Sequence, residues 1–98
     1  MEILFSNNDL QRLDEDRDFH SNLGQPLAKA YRRRVNVIRS ATDERDIRAV
    51  KGNRFEKLKG DRSHQRSVRL NDQWRLVFEI VPSDPKNKIL IIGIEDYH

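Results

Sequence analysis

The apolar residues of this 98-residue chain change their spacing halfway along, and no single kind of element can serve both spacings. Leu27, Tyr31, Val35 and Ile38 recur at intervals of four, four and three, which places them on one face of a helix. Further on, Val68 and Leu70 alternate with Ser67 and Arg69. Trp74, Leu76, Phe78 and Ile80 then alternate with Arg75, Val77, Glu79 and Val81. That period of two is the mark of strands with one buried face. Glu2 to Phe5 reads as a short first strand, and Asn7 or Asn8 as the cap of a helix over Asp9 to Leu13. A break at Asn22 to Gln25 precedes Pro26, which suits the first turn of the long helix. Thr42 or Asp43 could cap a short helix over Glu44 to Val50, ended by Gly52. Strands are expected over Phe55 to Leu58, Gln65 to Leu70, Trp74 to Val81 and Lys88 to Glu95. The last, apolar on both faces, should be central or covered. The expected class is α+β: an N-terminal strand and two to three helices packed on one side of a curved, mostly antiparallel sheet.

Length and composition narrow the function. The chain is expected to form a single domain over residues 1–98, a size that buries a core with little margin. It contains no cysteine, which excludes disulfides, thiolate metal sites and a cysteine nucleophile. The longest apolar run, Ile89 to Ile92, is far short of the ~20 residues of a membrane span, so no membrane association is expected. The first residues lack the basic start and long apolar stretch of a signal peptide, and the composition fits a small cytoplasmic protein. The net charge of +3 conceals strong clustering. Residues 1–20 hold six acids and two bases, whereas residues 29–39 hold five bases and no acid. Residues 51–75 hold eight bases against Glu56, Asp61 and Asp72. Such clusters suit an anionic partner, most often nucleic acid, or else a solvated surface balanced by the protein's own acids.

The second half carries the chemistry. Lys57, Lys59, Arg62, Arg66, Arg69 and Arg75 fall on adjacent hairpin strands and their turns. Alternation sends Arg69 and Arg75 away from the face that buries Val68, Leu70, Trp74 and Leu76. Guanidinium forks there match phosphate oxygens. The competing reading is cross-strand pairing with Glu56, Asp72 and Glu79, but six bases outnumber three acids. The sequence ends in Asp96-Tyr97-His98, which is either an exposed polar tail or an acid–base cluster beside the basic sheet. His20 and His64 have no metal-ligand spacing, so no metal site is expected. No phosphate-binding Gly-rich loop, serine-nucleophile motif or dinucleotide fingerprint is present, and no cofactor is expected. Gly60 and Gly93 read as serving turns and close packing, and Trp74 as core.

The stretch from Gly52 to Ile80, with Leu58-Lys59-Gly60-Asp61-Arg62 and Asn71-Asp72-Gln73-Trp74-Arg75, followed by Glu95-Asp96-Tyr97-His98, resembles the HigB-type toxins of the RelE/ParE superfamily. The resemblance is close over about half the chain; residues 1–51 agree only in general pattern. It implies a RelE-like fold of helices on one side of a curved antiparallel sheet. It also implies cleavage of messenger RNA on the translating ribosome, and a HigA-type helix-turn-helix antitoxin as partner, with no direct DNA contact by the toxin itself. Carried over by position, the implied site is Lys59, Arg75, Asp96, Tyr97 and His98. Some relatives have a histidine on the strand before the Lys-Gly-Asp-Arg motif, where this chain has Glu56, so Glu56 and His98 are alternative general bases. Lys57, Arg62, Arg66 and Arg69 would bind RNA phosphates.

The implied chemistry suits these residues, because RNA supplies its own nucleophile, the 2′-hydroxyl beside the scissile phosphate. Arg75 and Lys59 would clamp the phosphate, and no metal is needed if they neutralise the developing charge. His98 would transfer a proton with Asp96 orienting it, and Tyr97 would position base or ribose. Two rivals exist: a non-catalytic toxin of the same superfamily that inhibits a target such as DNA gyrase, and a simple RNA- or ribosome-binding module. Arg75→Ala is expected to abolish cleavage with little change in fold, since Arg75 points away from the Trp74 and Leu76 core. For the terminal histidine the nuclease reading predicts that His98→Ala lowers the rate of message cleavage by about 10²–10⁴. Parental rates for both His98→Ala and deletion of His98 would make the tail ordinary surface and move the proton transfer to Glu56.

Overall fold

The structure, a computed structural model, describes residues 1–96. Strand β1 (Ile3–Phe5) leads into helix α1 (Asn8–Glu15), which is capped by Asn7: its side-chain oxygen accepts the Leu10 amide proton at 2.9 Å. Helix α2 (Gln25–Ser40) begins with Pro26 in its first turn, after Gly24 at a φ of +84°. Helix α3 (Glu44–Ala49) is capped by Asp43, whose carboxylate accepts from the Arg45 amide at 2.9 Å. Of the alternatives the sequence left open, Asn7 and Asp43 are therefore the capping residues. Strands β2 (Glu56–Lys57), β3 (Gln65–Arg69), β4 (Trp74–Val81) and β5 (Lys88–Asp96) complete the described chain, with a 3₁₀ turn at Gly60–Arg62 before β3.

The five strands form one sheet in the order β1-β5-β4-β3-β2. β2, β3, β4 and β5 pair antiparallel in sequence, and β1 joins β5 in parallel. β5 is therefore interior, as its two apolar faces suggested. The α+β class and the mostly antiparallel sheet are both as the change of period indicated.

One face of the sheet meets the helices. Leu10 and Leu13 of α1, Leu27, Ala28, Tyr31, Val35 and Ile38 of α2 and Ile47 of α3 form a single buried cluster. It also takes in Val68, Leu70, Leu76, Phe78, Ile89 and Ile91. Every strand residue in that cluster lies on the same side of the alternation, so the helices bury one face and leave the other to the polar set. Trp74 packs at the margin of the cluster and is half-buried rather than central. Arg32 closes the segment after α1, its guanidinium donating to the carbonyls of Leu13, Asp16 and Phe19 at 2.7, 3.0 and 2.7 Å. Among the described residues no helix is long and apolar enough to cross a membrane.

Tyr31 is fully buried and donates its hydroxyl to the Leu10 carbonyl at 2.8 Å, tying α1 to α2. Burial raises its pKa well above the ordinary tyrosine value, assisted by the Asp14 carboxylate and opposed by Arg39. The folded state thus keeps the phenol neutral, while the unfolded chain releases the proton near the ordinary tyrosine value of 10.0. The contribution to stability is complete below that pH and declines as the pH rises above it. Tyr31→Phe should cost about 0.5–1.5 kcal/mol at neutral pH, the net worth of the hydrogen bond lost to the Leu10 carbonyl. Its unfolding free energy, followed by denaturant titration, should also fall less steeply than the parent's above pH 10.

Candidate functional site

The uncovered face of the sheet is ordered by register. One row runs Glu56, Ser67, Val77, Gly93 across β2, β3, β4 and β5. The next runs Arg69, Arg75, Glu95 across β3, β4 and β5. From Ser67 to Gly93 the first row carries short side chains, which leave a low floor beside the tall, charged second row. A Cβ built on Gly93 meets nothing within 4 Å, so this glycine does not serve close packing as expected; it leaves that end of the floor open. Gly60 does serve a turn, with a φ of +65°.

Arg75 stands between two clefts. One is lined by Arg54, Glu56, Arg69, Asn71, Asp72 and Arg75; the other by Leu58, Arg62, Ser67, Arg75, Val77, Glu95 and Asp96. The structure therefore brings Glu56, Arg69 and Arg75 to one concavity, and Arg62, Arg75 and Asp96 to its neighbour. Lys59 is exposed at the entry to the 3₁₀ turn, directly after Leu58 of the second cleft. Tyr97 and His98 lie outside the described residues. Asp96 opposes Trp74, a register that belongs to the helix-covered face, and its carboxylate accepts from Gln73 Nε2 at 3.3 Å. The acid directly across from Arg75 is instead Glu95, which stands in the terminal motif but carries no site role in the sequence analysis.

Two of the expected phosphate-binding residues are not on this face. Lys57 opposes Arg66, and Arg66 opposes Phe78 of the core, so both follow the helix-side register. Arg66 is bound there: Nε donates to Glu44 of α3 at 3.0 Å, and Nη1 to the Ser63 carbonyl at 3.0 Å. Arg62 forms a two-pronged pair with Glu95 at 2.8 and 2.5 Å, which raises the pKa of its guanidinium above the ordinary arginine value. Arg69 pairs with Asp72. Beyond Glu56, Asp72 and Glu79, the counter-charges include Glu44 and Glu95, which reach the basic hairpins from α3 and β5.

Arg75 departs most from expectation. It does point away from the Trp74 and Leu76 face, yet it is only 6% exposed. Its Nε donates to Ser67 Oγ at 2.8 Å, and its Nη2 donates to the Ser67 carbonyl at 3.3 Å and to the Arg54 carbonyl. Truncation cannot leave the fold untouched, because it strips donors from a buried hydroxyl and two backbone oxygens. One hint of this is legible in the residues: Ser67 shares the alternation of Arg69, across from the Arg75 strand. Among the described residues, no group of three or more histidines and carboxylates is placed to hold a metal ion.

Residues 3–98 match the family described as RelE-like toxin of type II toxin-antitoxin system HigB. The chain belongs to this HigB family. Toxin HigB-1 of Vibrio cholerae serotype O1 is 32% identical to it over 90 residues, 92% of this chain and 95% of that protein. Among solved structures, the YoeB/ParE toxin from Agrobacterium tumefaciens superposes with a TM-score of 0.65 at 14% identity, covering 100% of both chains. The YoeB–YefM complex from Staphylococcus aureus gives 0.61 at 22% identity, covering 100% of this chain and 97% of that one. These structural likenesses show the shared fold; the family match makes the chain a HigB-type toxin of a type II toxin–antitoxin system.

In this HigB-family chain, Arg75→Ala should lower the unfolding free energy by about 1–3 kcal/mol, the cost of a buried polar group left unmatched. Thermal unfolding of the purified variant checks this, and an unchanged melting temperature would show that the Ser67 and Arg54 bonds contribute nothing to stability.

Proposed function

We propose that the chain is an endoribonuclease that cuts messenger RNA on the translating ribosome. The whole of residues 1–98 would act as one toxin domain, held inactive by a HigA-type helix-turn-helix antitoxin. The observation that carries the reading is the concavity in which Glu56, Arg69 and Arg75 meet on the helix-free face. It joins a carboxylate able to take a proton to guanidinium groups able to hold a phosphate, on a rigid sheet. Membership of the HigB family supports it. The YoeB–YefM toxin–antitoxin complex of the Staphylococcus aureus neighbour supports an antitoxin partner.

The chemistry then runs as follows. A base, Glu56 or His98, removes the proton of the 2′-hydroxyl, whose oxygen attacks the adjacent phosphorus. Arg75 and Lys59 hold the phosphate oxygens as negative charge builds on the phosphorane, and Arg62 and Arg69 hold flanking phosphates. The bond from phosphorus to the 5′-oxygen breaks, and that oxygen takes a proton, with His98 as its donor. The products are a 2′,3′-cyclic phosphate and a 5′-hydroxyl. Tyr97 positions base or ribose, and Asp96 contributes at the margin, where its carboxylate already bonds Gln73. Lys57 and Arg66 take no part in this reading, since their register faces the helices.

The described face holds charge in plenty but Trp74 and Phe78 belong to its opposite side, so it lacks an aromatic platform on which to stack and read a base. The ribosome, which presents the message one codon at a time, would supply that order. In a reconstituted translation assay, cutting should appear with programmed ribosomes and be weak on the same RNA alone. Equal cutting of naked RNA would remove the ribosome from the account. Growth arrest without any cutting would favour a non-catalytic toxin.

A further inference from the structure

Arg75 and Arg69 are directly opposite one another on β4 and β3, an arrangement that like charges disfavour. The structure keeps them apart by giving each its own acceptors. Arg69 pairs with Asp72. Arg75 is held by Ser67 Oγ at 2.8 Å, by the Ser67 carbonyl at 3.3 Å and by the Arg54 carbonyl. Ser67 is 1% exposed, so its hydroxyl is buried with the guanidinium it accepts from.

The Arg54 carbonyl is aimed by an uncommon backbone conformation. Arg54 has a φ of +46°, in the left-handed region that few side-chain-bearing residues adopt. The preceding residue fixes this turn from three directions. Asn53, 1% exposed, donates Nδ2 to the Ile47 carbonyl at 3.0 Å and accepts from Arg34 Nη1 at 2.5 Å. Its own carbonyl accepts the Arg69 amide at 2.7 Å. α2, α3 and β3 therefore all meet at the residue before the carbonyl that holds Arg75. Surface arginines do not need such a mount. A guanidinium that must meet a phosphate in one orientation does, because donors already in place require no reorganisation as charge develops.

We propose that Ser67 and the Asn53–Arg54 turn are positioning elements for the cleavage reaction, holding the Arg75 guanidinium in the plane that meets the scissile phosphate. The inference rests on the ribonuclease reading above. Ser67 acts through its hydroxyl, and Arg54 through its carbonyl rather than its charge.

The test measures single-turnover cutting of a message on programmed ribosomes, together with the Nε–H resonance of Arg75 by NMR, at a temperature where every variant is folded by circular dichroism. Ser67→Ala should lower the rate at saturating ribosomes by about 10–100-fold, the scale of a misplaced catalytic group, with little change in half-saturating concentration. Its Arg75 Nε–H should exchange rapidly with water. Ser67→Thr keeps the hydroxyl and should recover both readouts relative to Ser67→Ala. Arg54→Asn and Arg54→Val both lose the guanidinium, but only asparagine tolerates the left-handed turn. The valine variant should therefore cut more slowly than the asparagine variant by a similar factor. Equal rates within both pairs, with Arg75→Gln inactive, would overturn the positioning role and leave the nuclease reading standing. Parental cutting by Arg75→Gln would overturn the placing of Arg75 in the site, and this inference with it.

Discussion

The burial of one helix stripe against one sheet face governs the rest of the molecule. Tyr31, Val35 and Ile38 are fully buried over Leu76, Phe78, Ile89 and Ile91, and none of them can turn outward without opening the core. Because strand side chains alternate, that commitment fixes where every other strand residue goes. Arg69, Arg75, Glu56 and Glu95 share the far face as a consequence of which neighbours are apolar. A one-residue slip of β4 would exchange Arg75 with Leu76 and destroy core and site together.

Much of this was legible in the residues, because alternation is a local signal. The spacing from Leu27 to Ile38 marked the buried face of α2. The run from Trp74 to Val81 marked β4 and the side on which Arg75 lies. What the spacing could not convey was burial on the polar face. Arg75 reads as a surface charge from its alternation alone; its acceptors lie eight and twenty-one residues away, and one of them is a backbone carbonyl turned by a positive φ. Nor does pattern reveal ion pairs across the fold. Glu95 reaches Arg62, and Glu44 reaches Arg66, from separations of thirty-three and twenty-two residues. Sequence proximity groups Lys57 and Arg66 with the other bases, whereas the pairing register of β2 and β3 puts them on the helix side.

The helix-free face thus combines two kinds of cation. Arg62 and Arg69 are half-exposed and paired with carboxylates, so an incoming phosphate can reach both guanidinium groups. Arg75 is buried, and the Ser67 hydroxyl and the Ser67 and Arg54 carbonyls fix the geometry of its guanidinium. A polyanion would then be gathered by the first kind and oriented by the second. This division gives physical content to the proposed mechanism: exposed charges for capture of the message, and a buried one beside Glu56 for the reacting phosphate.

The central claim, that this arrangement cuts translated RNA by way of its own 2′-hydroxyl, is tested most directly by mapping the 5′ ends of cellular messages after brief induction. The ends should be sorted by whether they carry hydroxyl or phosphate. The account predicts new 5′-hydroxyl ends confined to translated regions, arising with the parent chain and lost with Arg75→Gln. Growth arrest with messages left intact, or new ends spread equally over untranslated RNA, would contradict it.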